Sequence, residues 1–220
     1  MQPFIAPLSV MLLMLAVQGS VVPVEDEPDH RTILKNEYVQ AFRVTLAAGK
    51  STLMHKHAHD DVAVRLSDAR IAQETLGQPV SPTEHVTPGV VSARDNGTKP
   101  LIHRVHNVGE TVFDVIDVQI LKRPAGPEAP AITAPAAENP GMRAYRYELA
   151  PGAQSAQHTH ARPYLILAAT DMELRMTSPE GTAMEHRLKA GDLHWVEAGV
   201  THTLANRGAG RGVLVEIELK

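Results

Sequence analysis

The chain has 220 residues, with 21 Lys and Arg against 25 Asp and Glu for a formal charge of −4, and it has no cysteine. That balance, without a basic run, gives no electrostatic case for nucleic acid or another polyanion. The missing thiols exclude disulfides, thiolate metal ligands and a cysteine nucleophile. Twelve histidines are the compositional excess.

In chain order, residues 4–17 form an uncharged apolar run too short to span a bilayer comfortably, followed by the small residues Gly19 and Ser20. The pattern predicts an export signal at 1–20, a mature chain starting near 20–22, and a secreted or periplasmic protein with no membrane partner after cleavage. The run lacks a basic side chain before it, so an uncleaved anchor is the competing reading. A polar stretch at 25–29 then gives way to period-two alternation rich in Val, Ile, Leu and Thr, bounded by Gly, Pro, Asn and Asp. Such alternation predicts strands and turns over 25–121 and again over 142–220. Between them, 122–141 is rich in Pro and Ala and is expected to be an extended linker. No segment has a convincing amphipathic helical period, so the expected fold class is all-β.

The two strand-rich segments repeat one layout. His55 and His57 precede His103 as His158 and His160 precede His202. A shift of 103 lays His158 on His55 and also Tyr145 on Phe42, Leu149 on Leu46, Gly152 on Gly49 and Asp171 on Asp68. A shift of 99 lays His202 on His103, Asn206 on Asn107, Gly208 on Gly109 and residues 214–219 on 115–120. One unit of roughly 100 residues has been duplicated, and each copy is long enough to hold a core.

Alternate side chains of a strand face the same way, so each His-x-His pair forms one edge of a metal site. His103 and His202, opening later strands, supply a third ligand if the sheet curls round. Three neutral imidazoles suit Mn, Fe, Co, Ni, Cu or Zn and leave positions open for water or substrate. The same parity turns His59 and Arg162 towards the cavities. Arg162 could grip a substrate carboxylate there, the competing reading being a rim arginine paired with a surface acid. His30, His85, His106, His186 and His194 are expected to be structural or solvent histidines, Trp195 to be core, and Asn107 and Asn206 to serve turns.

The spacing resembles the cupin superfamily, whose first motif is G-x5-H-x-H-x3,4-E-x6-G and whose second is G-x5-P-x-G-x2-H-x3-N. Gly49, His55, His57, His103 and Asn107 match in the first unit, and Gly152, His158, His160, Gly191, Gly199, His202 and Asn206 in the second. The resemblance covers most of the mature chain and implies two cupin-type β-barrels (jelly rolls) in tandem, a bicupin, each with its metal inside. Asp61 stands where the motif has Glu, and Tyr164 stands there in the second unit. The implied metal ligands are thus His55, His57, Asp61 and His103, then His158, His160 and His202 with the Tyr164 phenol nearby. Asp61, Arg162 and Tyr164 are the candidate catalytic groups.

The preferred function is a metal-dependent enzyme on a small organic molecule, either dioxygenase-like at Fe or Cu or lyase- or isomerase-like at Mn, Ni or Zn. An exported ligand- or metal-binding protein without turnover is the alternative, and homo-oligomerisation is compatible with the sequence. The missing second carboxylate disfavours a role like oxalate decarboxylase, and a role like the flavonol-cleaving dioxygenases stays open. With Asp61 as ligand, the first site is expected to prefer Mn²⁺ or Fe²⁺ and to be the seat of turnover, and the second to tolerate Cu²⁺ or Zn²⁺.

Overall fold

A computed structural model of the chain describes residues 20–220. The run at 4–17, expected to be an export signal, lies outside them. Apart from one 3-10 turn at Val24–Asp26, the regular elements described are strands, numbered here in chain order. None of the described residues forms a helix long and apolar enough to cross a membrane.

In the first unit, one sheet runs β1 (Val22–Pro23), β4 (His55–His57), β9 (Leu101–Asn107), β6 (Ala69–Thr75), β7 (Glu84–Val86). The other runs β2 (His30–Lys35), β3 (Val39–Leu46), β10 (Phe113–Ile120), β5 (Asp61–Arg65), β8 (Val91–Arg94). The second unit repeats this as β11 (Ala137–Glu138), β12 (Met142–Leu149), β19 (Gly212–Leu219), β14 (Tyr164–Ala168), β17 (Leu193–Val196) against β13 (His158–His160), β18 (Val200–Asn206), β15 (Met172–Thr177), β16 (Ala183–Leu188). Each pair of sheets makes a jelly-roll barrel. Strand Ala137–Glu138 falls inside the stretch read as linker and pairs with β12.

The duplication is visible in backbone detail. Gly49 and Gly152 both take positive φ, 72° and 77°, which side-chain-bearing residues avoid. Asn107 Nδ2 donates to Leu46 O and Thr111 O, and Asn206 Nδ2 donates to Leu149 O and Gly210 O. Each Asn oxygen accepts from a glycine two residues on, Gly109 or Gly208. Both asparagines therefore close the turn after the histidine strand.

The alternation along β10 and β19 sorts side chains between two cores. Phe113 and Val115 point into the first barrel with Val44, Leu46 and Ile71. Ile116, Val118 and Ile120 point the other way, where they meet Leu165, Leu167, Val215 and Ile217 of the second unit in a shared core. Trp195 packs at its edge and stacks on Tyr38 across the units, ring centroids 5.7 Å apart. Burial on both faces explains why β14 reads as an unbroken apolar run and β5 as an apolar stretch between Asp61 and Arg65. Asn139 adds a polar tie, its Nδ2 donating to Asp61 O and Arg94 O of the first barrel.

Candidate metal centres

In the first barrel β4 pairs with β9, setting His55 directly opposite His103. His55 Nε2 lies 3.1 Å from His57 Nε2, and the His103 ring sits 4.7 and 5.2 Å, centroid to centroid, from His55 and His57. The chain's own His30, at the start of β2, joins them with its ring 4.5 Å from His55. His30, His55 and His57 each offer a nitrogen within 4.8 Å of the others, a group beside which the His103 ring stands without joining it. All four histidines are buried.

Their other nitrogens are held from behind. Nδ1 of His55 lies 2.8 Å from Leu53 O, that of His30 2.6 Å from Glu27 Oε2, and that of His103 3.2 Å from Gln73 Oε1. His57 Nδ1 faces Asp61 and Asp117 at 3.4 and 3.5 Å. Fixing Nδ1 in this way sets the ring and leaves Nε2 for a metal.

Asp61 lies on the far side of His57 from His55, where with His57 and Asp117 it forms a separate group able to hold an ion. Its strand, β5, belongs to the sheet opposite β4, because the chain turns a corner after His57, and parity along one strand does not cross such a corner. Its carboxylate meets the back of His57 and is engaged by Asn96 Nδ2 at 2.6 Å and Arg94 Nη1 at 3.3 Å. Burial, and then Asp117 beside it, raises Asp61 well above the ordinary carboxylate range, and burial raises Asp117 to about 6. Burial, with His30 adding to it, lowers His55 to about 4, and His57 and His103 are lowered too. The rings are thus neutral at pH 7, as metal ligands must be.

The second barrel repeats the frame with a different donor set. His158 pairs opposite His202, and His158 Nδ1 lies 3.0 Å from Ala156 O. Glu216 of β19 completes the cluster. Its carboxylate lies 3.0 Å from Nε2 of His158, 3.2 Å from Nε2 of His160 and 3.0 Å from Nε2 of His202. The expectation that this unit lacks a carboxylate is corrected, and the donor comes from a strand outside the sequence motif. Burial alone would raise Glu216, yet the three histidine contacts hold it well below the ordinary range. His160 moves up despite burial, through Glu216 and Glu218.

Tyr164 stacks on His160 at 3.6 Å with its hydroxyl 3.5 Å from His202 Nδ1, so it braces two ligands. Burial, then Glu216 and Glu218, raise its pKa. Arg162 is corrected as well. The strand ends at His160, and the arginine swings out to the carbonyls of Ala125 and Pro127 in the connecting stretch. His59 lies in a bend past the end of β4 and is half-buried.

Two cavities adjoin the clusters. One of about 40 Å³ is lined by His30, His55, His57, His103, Arg65 and Arg94, room for a few waters. The other, about 330 Å³, is walled by Ile166, Leu174, Met176, Leu188, Val196 and Val200 from both sheets of the second barrel. Ile166 is the cross-strand partner of Glu216 and Val200 that of His160, so this apolar wall is built from neighbours of the second cluster, whose four ligands do not themselves line it.

The residues fit a metal in both barrels. His103 Nε2 is buried without a hydrogen-bond partner, and in the second barrel three imidazoles converge on one buried carboxylate. Orphaned buried nitrogens are costly unless something coordinates them.

No family profile matches the chain. It is similar to the β-alanine degradation protein BauB of Pseudomonas aeruginosa, 36% identical over 74 residues, which is 34% of this chain and 77% of BauB. Among solved structures, AerE from Microcystis aeruginosa superposes with a TM-score of 0.57 at 12% identity, covering 88% of this chain and 98% of AerE. Bacillus subtilis oxalate decarboxylase, a protein with Mn(II) centres, gives 0.53 at 14% identity over 91% of this chain and 78% of its own. Likeness at these identities is a likeness of fold.

Proposed function

The chain belongs to the cupin superfamily as a tandem pair of barrels, and from that premise we propose that it is an exported metalloenzyme whose second barrel acts on a small, largely apolar organic molecule. One observation supports this reading above the others: three buried imidazole nitrogens share the Glu216 carboxylate within 3.2 Å beside an apolar cavity. Three nitrogens and one anionic oxygen suit Mn²⁺ or Fe²⁺ and leave coordination positions open. The expected order of the two sites is thereby reversed, the harder ion belonging to the second.

When bound, the ion supplies Lewis-acid or redox chemistry at its open positions. The chain's own groups do the rest. Ala156 O and Tyr164 fix two of the rings, and Glu216 stays ionised as a ligand. The walls from Ile166 to Val200 exclude water and favour an apolar substrate body. His186 and His194 are the ionisable side chains among the residues lining the cavity. Few groups are placed for proton transfer, which favours a dioxygenase-like reaction over lyase or isomerase chemistry.

The test is water-proton relaxation of the Mn²⁺-loaded full chain. Exchangeable water on the ion enhances relaxation, and the enhancement should fall in Glu216→Gln. Loaded protein with no enhancement would mean closed, structural sites and would overturn the enzymatic reading. Export rests on the apolar run at 4–17, and N-terminal sequencing of exported protein that returned Met1 would overturn cleavage.

A further inference from the structure

We infer that the first barrel is an all-nitrogen, four-histidine metal site, with His30 as its fourth ligand and Glu27 as the carboxylate that positions it, and that it takes Cu²⁺ or Zn²⁺ while the second barrel takes Mn²⁺ or Fe²⁺. The inference rests on the metalloprotein reading above and adds a ligand that lies outside the sequence motifs.

The geometry begins at Glu27, which is buried just past the 3-10 turn. Oε2 accepts from His30 Nδ1 at 2.6 Å and from Asp29 N at 2.9 Å, and Oε1 accepts from Leu53 N at 2.9 Å. Leu53 O in turn holds His55 Nδ1 at 2.8 Å. One carboxylate thus fixes His30 directly and His55 through a single residue, Leu53. With Nδ1 donating to Glu27, the His30 ring keeps its Nε2 for an ion, and it stands within 4.8 Å of nitrogens of His55 and His57. Such an arrangement is that of a ligand and not of a solvent histidine.

The carboxylate of Asp117 lines the same cavity as the four rings, yet like Asp61 it meets only His57, on the side away from His55. Asp61 and Asp117 stay behind His57, at Nδ1. Arg65 and Arg94 line the cavity as well, and Arg94 engages Asp61, so an anionic oxygen on which a hard ion would depend is already taken. The second unit lacks this device, since Pro130 and Thr133 stand where the 103-residue shift places Glu27 and His30. Duplication followed by divergence has given one barrel an extra imidazole and the other an extra carboxylate.

The test adds one equivalent of Cu²⁺ to the full chain and counts coordinated imidazoles by pulsed electron paramagnetic resonance. Four are expected in the native chain and in Glu216→Gln, three in His30→Ala. Glu27→Gln should keep four while weakening copper retention about 10–100-fold, the effect of losing a partner behind a ligand. The native count needs no variant, so a misfolded His30→Ala would not spoil it. Three imidazoles in the native chain, or unchanged count and affinity in His30→Ala, would overturn His30 as a ligand. Loss of the copper signal in Glu216→Gln would put copper in the second barrel and overturn the sorting, leaving the metalloprotein reading intact. A chain that binds no metal in either barrel would sink both.

Discussion

Asp117 and Glu216 hold the same place in the two barrels, and only Glu216 reaches the nitrogens that face the cluster centre. Glu216 lies within 3.2 Å of three Nε2 atoms, whereas Asp117 comes no nearer than 3.5 Å to Nδ1 of one histidine. One methylene separates the two side chains. In one barrel the acid sits among the ligands, and in the other it stays behind one of them.

Glu216→Asp should therefore release metal from the second barrel and leave the first loaded. The loss in affinity should be at least the ~10–100-fold that removing a partner behind a ligand costs. Isothermal titration with Mn²⁺ reads it, and unchanged affinity would mean that Glu216 is not a donor.

Much of this was legible in the sequence. The two His-x-His pairs, His103 and His202 fall together because short strands and a repeated register put them there, and period two fixes the facing of His55 with His57. Past those strands the parity argument fails, since the chain bends at His59 and Arg162 and enters another sheet at Asp61. Glu216 was hidden inside Leu214-Val-Glu-Ile-Glu-Leu219, where it reads as the polar half of an alternating strand. That β19 is buried on both faces was the missing fact, and it depends on the contact between barrels. With it, two acids on the inward face become a signal. His30 lies some way before the motif, and only the fold of β2 brings it to the cluster.

Asn206→Ala should destabilise the second barrel by about 1–3 kcal/mol, because it leaves the buried carbonyl of Leu149, and with it that of Gly210, without a donor. Urea unfolding checks this. A change within about 0.5 kcal/mol, the usual surface value, would show that the turn is held otherwise.

The shared core predicts that the two barrels unfold together. Leu165→Ala, at a fully buried position in that core, should cost about 2–5 kcal/mol and move a single transition in calorimetry. Two transitions, only one of them shifted, would mean that the barrels are energetically separate.

Metal loading should release protons unequally at pH 7. Glu216 and Glu218 raise His160 despite its burial, so it holds its proton to higher pH than an ordinary imidazole and gives it up when an ion enters the second barrel. His55, lowered to about 4, is already deprotonated and releases none in the first. Titration calorimetry in buffers of different ionisation enthalpy, comparing native chain with Glu216→Gln, should show more release from the native protein. Equal release would contradict the assignment of charge to the two clusters.

The central claim is that the chain holds two unequal metal centres, four imidazoles in one barrel and three with a carboxylate in the other. Anomalous X-ray scattering from crystals grown with Cu²⁺ and Mn²⁺ together, measured at the two absorption edges, tests it most directly. Copper should appear among His30, His55, His57 and His103, and manganese among His158, His160, His202 and Glu216. Both metals in one barrel, or an ion in the first barrel bound to Asp61 and away from His30, would contradict it.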